Sequence, residues 1–127
     1  MPRPRATAAA ASQAYARRFG NANPDAPGNE EARRWLSRGL REKLLAFIER
    51  AQGPGWAIDV AIYEIELPEV VDSLESALRR GAGVRVVYHA KAGHPQTAEN
   101  ERHLARLPEP LKKARVTSSI FHQKFVV

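Results

Sequence analysis

Apolar residues in the second quarter of the chain recur at helical spacing. Every fourth position from 36 to 48 is apolar, which places these side chains on one face of a helix; they are Leu36, Leu40, Leu44 and Ile48. Asn29 is suited to cap the start of this stretch, and the turn residues Gly53-Pro54-Gly55 end it. The pattern predicts one helix over residues 30–51.

The pattern then changes to the two-residue period that is typical of strands. Residues 56–65 alternate between two mostly apolar faces, as in a strand covered on both sides, and residues 84–89 form a second apolar strand. Between them, residues 69–80 carry one apolar helical face. A strand, a helix and a strand at this spacing predict a βαβ unit, whose two strands are parallel.

The last third of the chain continues the alternation of helix and strand. Residues 98–107 are predicted to form a helix that Thr97 caps, and residues 110–119 to form a basic connection. Residues 120–127 are predicted to form a third strand. Because the chain ends inside this strand, we expect it to be a fragment that is incomplete at its C-terminal end.

The chain divides into a leading segment and one domain. Residues 1–29 are expected to form an irregular N-terminal segment, with a short helix over 8–19 and a loop over 20–29. Residues 30–127 are expected to form an α/β domain with a mixed sheet, whose first strands are parallel and which helices cover.

Composition excludes some classes of chemistry. The chain has 127 residues and no cysteine, which excludes a disulfide scaffold, a thiolate metal site and a cysteine nucleophile. The formal charge of +6 favours anionic partners, although ordinary solubility explains it equally well. No stretch approaches the roughly 20 apolar residues of a membrane span. Residues 1–16 resemble a signal peptide only weakly, so a cytoplasmic location is favoured over secretion and the location is otherwise open.

The final predicted strand carries the candidate catalytic residues. His122 and Lys124 are two residues apart, so in a strand their side chains point to the same face. An anion between them would explain this pair, because lysine offers charge and donors to phosphate oxygens and neutral histidine offers a nucleophilic nitrogen. Glu64 ends the first strand, where open α/β sheets bind ligands, and is a candidate substrate-binding residue.

The chain contains a second H-x-K sequence, His89-Ala90-Lys91, at the end of the second strand. By itself this short pattern is a weak signal, so the neighbouring residues have to separate the two copies. The other histidines, His94 and His103, are interpreted as ordinary solvated residues of a loop and of a helix.

Several phrases resemble the phospholipase D-like superfamily, which carries the motif H-x-K-x4-D. Residues 80–87, Arg-Gly-Ala-Gly-Val-Arg-Val-Val, are similar to the family phrase RG-x-x-VRVV, and residues 122–127 look like the opening of the motif. Tyr63-Glu64 and the segment Trp35 to Leu40 are similar to bacterial members. The resemblance covers residues 35–127. It sets the copy at His89 aside, because the position of the motif aspartate holds Gln96; for the copy at His122 that position lies beyond Val127.

The resemblance implies a half-domain and a mechanism. Two H-x-K motifs meet at one site, the second coming from the missing part of the chain or from a homodimer partner. One histidine attacks the phosphodiester and becomes phosphohistidine, and the other protonates the leaving oxygen and then activates water. His122 and Lys124 are the residues that match here. The family uses no metal or cofactor.

The substrate class stays open at this point. A phospholipid is the first expectation, because the bacterial proteins that the chain resembles act on lipids. Nuclease activity within the same superfamily is the alternative, and a non-catalytic basic module with an incidental H-x-K sequence is the competing class.

Overall fold

The computed structural model describes residues 8–117 and 119–127. The helices are α1 (Ala8–Phe19), α2 (Glu30–Ser37), α3 (Leu40–Glu49), α4 (Pro68–Arg79) and α5 (Pro95–Leu104). The strands are β1 (Ala57–Ile62), β2 (Gly83–His89), β3 (Lys112–Arg115) and β4 (Lys124–Val126), and one 3-10 turn spans Glu109–Leu111. The chain forms two compact units, of which one ends at Lys43 and the other spans Leu44–Val127.

The sheet belongs to the second unit and is mixed. Its strand order is β3-β2-β1-β4, with β2 parallel to both β1 and β3, and with β4 antiparallel to β1. Val60 of β1 pairs with Val86 on one side and with Val126 on the other. The predicted α/β class, the mixed sheet and the parallel βαβ unit over β1, α4 and β2 are therefore confirmed.

The hydrophobic core lies against one face of this sheet. Alternate residues of β1 and β2 point to that face and meet the apolar sides of α3, α4 and α5, as the two-residue and helical periods require. The largest fully buried apolar members are Ile48, Val71, Leu74, Val84, Val86, Leu104 and Leu107. Burial of these aliphatic side chains is the main term that stabilises the second unit.

The opposite face of the sheet is open, which corrects the expectation that β1 is covered on both sides. Ala61, Val87 and Phe125 lie on this face; Ala61 is buried among its strand neighbours, whereas Phe125 is 48% exposed. Asp59 and Arg85 form a bidentate ion pair there, with N–O distances of 2.7 and 2.6 Å. Strand residues that are apolar on both faces do not show which face a helix covers.

The helix predicted over residues 30–51 is two helices, α2 and α3. The break lies at Arg38 and Gly39, whose φ angles are 53° and 85°. This left-handed conformation cannot continue an α-helix, and glycine adopts it without a steric penalty. The apolar period continues across the break, so the sequence pattern concealed it. The short helix over residues 8–19 and the loop over 20–29 are confirmed.

Three predicted boundaries in the last third of the chain were wrong. The basic connection contains β3, and α5 begins at Pro95 rather than after Thr97, whose Oγ1 donates to the carbonyl of Lys91 at 2.6 Å. The last predicted strand is shorter at its start: β4 spans residues 124–126, and Val127 continues the pairing through two backbone hydrogen bonds with Asp59. None of the helices in the described part of the chain is long and apolar enough to cross a bilayer.

Candidate active site

The ring of Tyr63 lies at the centre of a cluster of polar side chains. Tyr63 follows the last residue of β1, at the end of the sheet where β2 ends with His89. The ring centroid of His122 lies 5.1 Å from that of Tyr63, and the Nζ of Lys124 lies 5.2 Å from it. The His89 ring contacts the same tyrosine at 5.2 Å. The two residues predicted from the H-x-K pattern therefore meet at the carboxyl end of the parallel strands.

The register of β4 brings His122 and Lys124 to this edge. Lys124 pairs with Ile62, the last residue of β1, and His122 lies two residues before it, outside the ladder. Both side chains are exposed, and the Nζ of Lys124 lies 3.4 Å from the carbonyl oxygen of His122. The imidazole and the ammonium group are therefore open to solvent and to an anionic ligand.

His89 lies behind this pair and is fully buried. Its Nδ1 lies 3.2 Å from the amide nitrogen of Phe121, and its Nε2 lies 2.8 Å from the Nδ1 of His94. An amide nitrogen can only donate, so the Nδ1 of His89 carries no proton and its Nε2–H donates to His94. Burial lowers the pKa of His89, and the charges of His94 and Lys91 lower it further.

Asn100 on α5 connects the ends of β1 and β2 through side-chain hydrogen bonds to their backbone. Its buried side chain accepts a hydrogen bond from the amide of Ile65 at 2.9 Å, and its Nδ2 donates to the carbonyls of Tyr63 at 2.8 Å and His89 at 2.9 Å. The side-chain oxygen and both amide hydrogens are thus satisfied inside the protein. This residue fixes the backbone on which Tyr63 and His89 stand.

Glu64 lies beside this cluster, where both negative and positive side chains act on its carboxyl group. Partial burial raises the pKa of its carboxyl, as do the hydrogen bond and charge of Glu66 and the charge of Glu99. Lys124 acts in the opposite direction, which brings Glu64 into the electrostatic range of the predicted pair.

Four members of the cluster were not predicted from the sequence: Tyr63 as its centre, His89, His94 and Asn100. His89 was set aside because Gln96 stands at the aspartate position of the motif, a criterion that concerns only the motif. For Asn100 a signal existed, because it precedes the buried Leu104 by one helical turn and so falls on the apolar side of α5. A polar residue at such a position indicates a buried hydrogen-bonding role.

The described residues contain no group of three or more metal-ligand side chains that could hold a metal ion. A cavity of about 460 Å³ lies elsewhere, on the open face of the sheet, and Ala61, Val87 and Phe125 are among its lining residues. The predicted site is thus a polar edge rather than this apolar cavity.

No known protein family model matches this chain, and a search of curated proteins finds no match.

Proposed function

We propose that this chain forms part of a phosphodiesterase site of the phospholipase D-like type, with His122 as the nucleophile and Lys124 as the phosphate-binding cation. The observation that carries the proposal is that both side chains meet at Tyr63, at the carboxyl end of parallel strands. Open α/β sheets bind their ligands at this end. The βαβ unit and the order of the strands are compatible with such a half-domain.

The proposed reaction proceeds through a covalent intermediate. A ring nitrogen of neutral His122 attacks phosphorus, so that a P–N bond forms while the P–O bond to the leaving alcohol breaks. A second histidine, from a longer chain or from a partner copy, gives its proton to the leaving oxygen. The same histidine then removes a proton from water, which attacks the phosphohistidine, releases a phosphomonoester and restores His122. Lys124 stabilises the charge on the non-bridging oxygens throughout.

Exposure supports these roles for His122 and Lys124. A nucleophile has to reach phosphorus, and a phosphate-binding ammonium group has to reach two oxygens at once, so both groups need an open side. Both residues are exposed, whereas His89 is fully buried and cannot meet a substrate. Among the histidines of the cluster, His122 is therefore the best placed to react.

The proposed substrate is a phospholipid, and a nucleic acid is the alternative. Both present a phosphodiester, and the net charge of +6 attracts either one. The choice between them is an outcome of the assay, in which phosphatidylcholine vesicles and single-stranded DNA are compared at the same phosphate concentration.

The test is turnover by the full-length protein, measured beside His122→Ala and Lys124→Ala. We expect each variant to lose about 10²-fold or more in kcat, the scale for losing a group that stabilises a transition state. His103→Ala is the matched histidine control and Lys113→Ala the matched lysine control, because both residues lie outside the cluster and should leave kcat unchanged.

A second readout identifies the covalent step. Acid-labile phosphate should be found on His122 after rapid quenching with substrate, and activity should survive exhaustive treatment with EDTA. Unchanged turnover in His122→Ala would defeat the proposal, and loss on chelation that zinc or magnesium restores would indicate a metal-dependent phosphodiesterase. Phosphate binding without turnover would indicate a non-catalytic basic module.

A further inference from the structure

We infer that His89 is a positioning residue: its neutral ring holds the segment 120–123, and with it His122, against Tyr63, and the ring releases this segment when it takes up a proton. The inference rests on the proposed function only for the role that it gives to His122. The hydrogen bond between His89 and the segment is a property of the fold, and it can be measured without any substrate.

The segment 120–123 depends on His89 because the sheet does not hold it. The ladder between β1 and β4 begins at Lys124, so residues 120–123 precede it without strand pairing. In the described part of the chain, the hydrogen bond from the Phe121 amide to the Nδ1 of His89 joins this segment to β2. Phe121 is adjacent to His122, so this bond fixes the backbone that carries the proposed nucleophile.

The protonation state of His89 decides whether this bond exists. The amide of Phe121 is a donor at every pH of interest, so it requires an unprotonated Nδ1. A proton added to Nδ1 would face the amide hydrogen, and two donors in a buried place repel each other and leave both groups unsatisfied. Uptake of one proton by His89 therefore breaks the bond to Phe121.

The surroundings of His89 favour the neutral ring. The loop after β2 brings His94 and Lys91, whose charges oppose a further positive charge on His89. The segment after β1 contributes the neutral ring of Tyr63, beyond which lie His122 and Lys124. From α5, the side chain that faces His89 is the uncharged Asn100, which binds its backbone carbonyl. These surroundings hold the pKa of His89 below its ordinary value, so the neutral ring is the favoured form and a proton is taken up only at a pH lower than for a free histidine.

Two substitutions separate the two hydrogen bonds of this ring. His89→Asn keeps an acceptor at the position of Nδ1 and removes the group that meets His94. His89→Gln keeps a donor at the position of Nε2 and removes the acceptor for Phe121. Asparagine should therefore preserve the placement of segment 120–123, whereas glutamine should release it. His103→Gln, on α5 and away from the segment, is the control for loss of a histidine.

The experiment is NMR spectroscopy of the 127-residue chain. In the unsubstituted protein at pH 7.5, the imidazole nitrogen shifts should show a proton on Nε2 and none on Nδ1 of His89. The protection factor of the Phe121 amide against hydrogen exchange should exceed that of the Gln123 amide about tenfold. As the pH is lowered, this difference should disappear at the pH where the imidazole nitrogen shifts show that His89 has taken up a second proton. It should persist in His89→Asn and in His103→Gln, and disappear in His89→Gln.

Several results would overturn the inference. They are a proton on Nδ1 of His89 at pH 7.5, a Phe121 amide no better protected than Gln123, protection that survives protonation of the His89 ring, and equal protection in the asparagine and glutamine variants. The first three need only the unsubstituted protein, so poor folding of a variant cannot hide them. None depends on turnover, so a full-length protein that stays active without His122 would defeat the proposed function and leave this inference intact.

The full-length protein provides the functional measurement. Displacement of a nucleophile by a fraction of an ångström reduces the rate of reaction more than it reduces binding. We expect kcat to fall about tenfold in His89→Gln with KM nearly unchanged, and His89→Asn to restore most of it. A defect that is equal in the two variants would show that His89 acts on stability alone.

Discussion

Burial assigns opposite roles to the histidines that share one edge of this sheet. His89 is fully buried, with both ring nitrogens in hydrogen bonds, whereas His122 is exposed and its ring lies 5.1 Å from that of Tyr63, between centroids. The same side chain is thus a fixed structural element in one position and an accessible reactive group in the other. The difference comes from the surroundings, since the amino acid is identical.

The buried histidine should make stability depend on pH. Burial lowers the pKa of folded His89 below the ordinary value of 6.5, so below that value the unfolded chain binds more protons. The contribution of His89 to stability is full well above pH 6.5 and is lost as the pH falls through 6.5 towards the folded pKa. The free energy of unfolding in urea, measured from pH 8 to pH 5, should therefore decline in acid more steeply for the unsubstituted protein than for His89→Asn.

The comparison with His89→Asn isolates this effect, because asparagine does not titrate in the same range. The carboxyl groups are the same in both proteins, so their effect on stability cancels in the difference. Equal slopes for the two proteins between pH 7.5 and pH 6 would contradict the prediction.

Two glycines test how much a close contact adds to backbone strain. Gly81 and Gly93 both have left-handed φ angles, 93° and 80°, but only a Cβ at Gly81 would meet a neighbour, the ring of Pro54 at 3.1 Å. Alanine in this conformation costs about 1–2 kcal/mol at either position. We expect Gly81→Ala to lower the free energy of unfolding by about 1 kcal/mol more than Gly93→Ala, because the proline ring has to shift. Equal losses of unfolding free energy in the two variants, measured in urea, would show that the Pro54 ring shifts without a measurable cost.

At the scale of elements, α5 holds two strand ends in place through the hydrogen bonds of Asn100. One side chain satisfies a backbone amide and two carbonyls where β1 and β2 leave the sheet. Strand ends that no ladder continues would otherwise present these groups unpaired inside the protein. These hydrogen bonds explain why Tyr63 and His89 have defined positions, although Tyr63 lies outside the ladder.

Asn100→Ala should be strongly destabilising. It removes the partner of three backbone groups, of which the Ile65 amide and the His89 carbonyl are in buried hydrogen bonds and the Tyr63 carbonyl is in a partly buried one. We expect the free energy of unfolding to fall by about 3 kcal/mol, measured by urea or thermal unfolding. Glu101→Ala is the matched control, because Glu101 is the exposed neighbour on α5 and should change stability by less than about 0.5 kcal/mol. A loss below 1 kcal/mol in Asn100→Ala would mean that water replaces the side chain.

The sequence predicted elements well where one face had a clear period. For α4 the predicted bounds, 69–80, differ by one residue from Pro68–Arg79, because its buried residues follow a single stripe. The sequence pattern did not predict β3. There Lys112 occupies an inward position, and its Nζ donates to the carbonyl of Leu104 at 3.0 Å. A lysine that buries its stem and satisfies its charge locally looks like a solvated residue in a sequence.

The candidate site was predictable only in part, because the sequence shows local spacing but not contacts between distant segments. His122 and Lys124 follow a spacing rule along one segment, so their proximity is a local property. Tyr63, His89 and Asn100 meet through the sheet register and through hydrogen bonds to the backbone, which no local pattern reports. Contacts between distant segments become visible only with the fold.

At the scale of the whole molecule, the proposed reaction needs more than one histidine of the right kind. The 127-residue chain contains one exposed H-x-K pair at the sheet edge, and the mechanism uses a second histidine to protonate the leaving group. We expect no measurable turnover of bis(4-nitrophenyl) phosphate by the purified 127-residue chain, whereas a longer chain that supplies the second motif should be active.

The same assay contains its own control. Steady turnover by the 127-residue chain that His122→Ala abolishes would show that one motif suffices, with His94 or a partner copy as the source of the second imidazole. Turnover that survives His122→Ala would indicate a contaminating phosphatase.

The antiparallel pairing of β4 with β1 has a consequence for how the protein is made. The ribosome delivers β1, α4 and β2 in order, so the parallel pair can form as soon as residue 89 has emerged. The other edge of β1 has to wait for residues 124–126, because its partner there is β4. Until then the nascent chain carries an unpaired strand edge next to an apolar sheet face, the kind of surface that attracts other strands and chaperones. The segment that carries His122 and Lys124 thus also pairs with the second edge of β1 during synthesis.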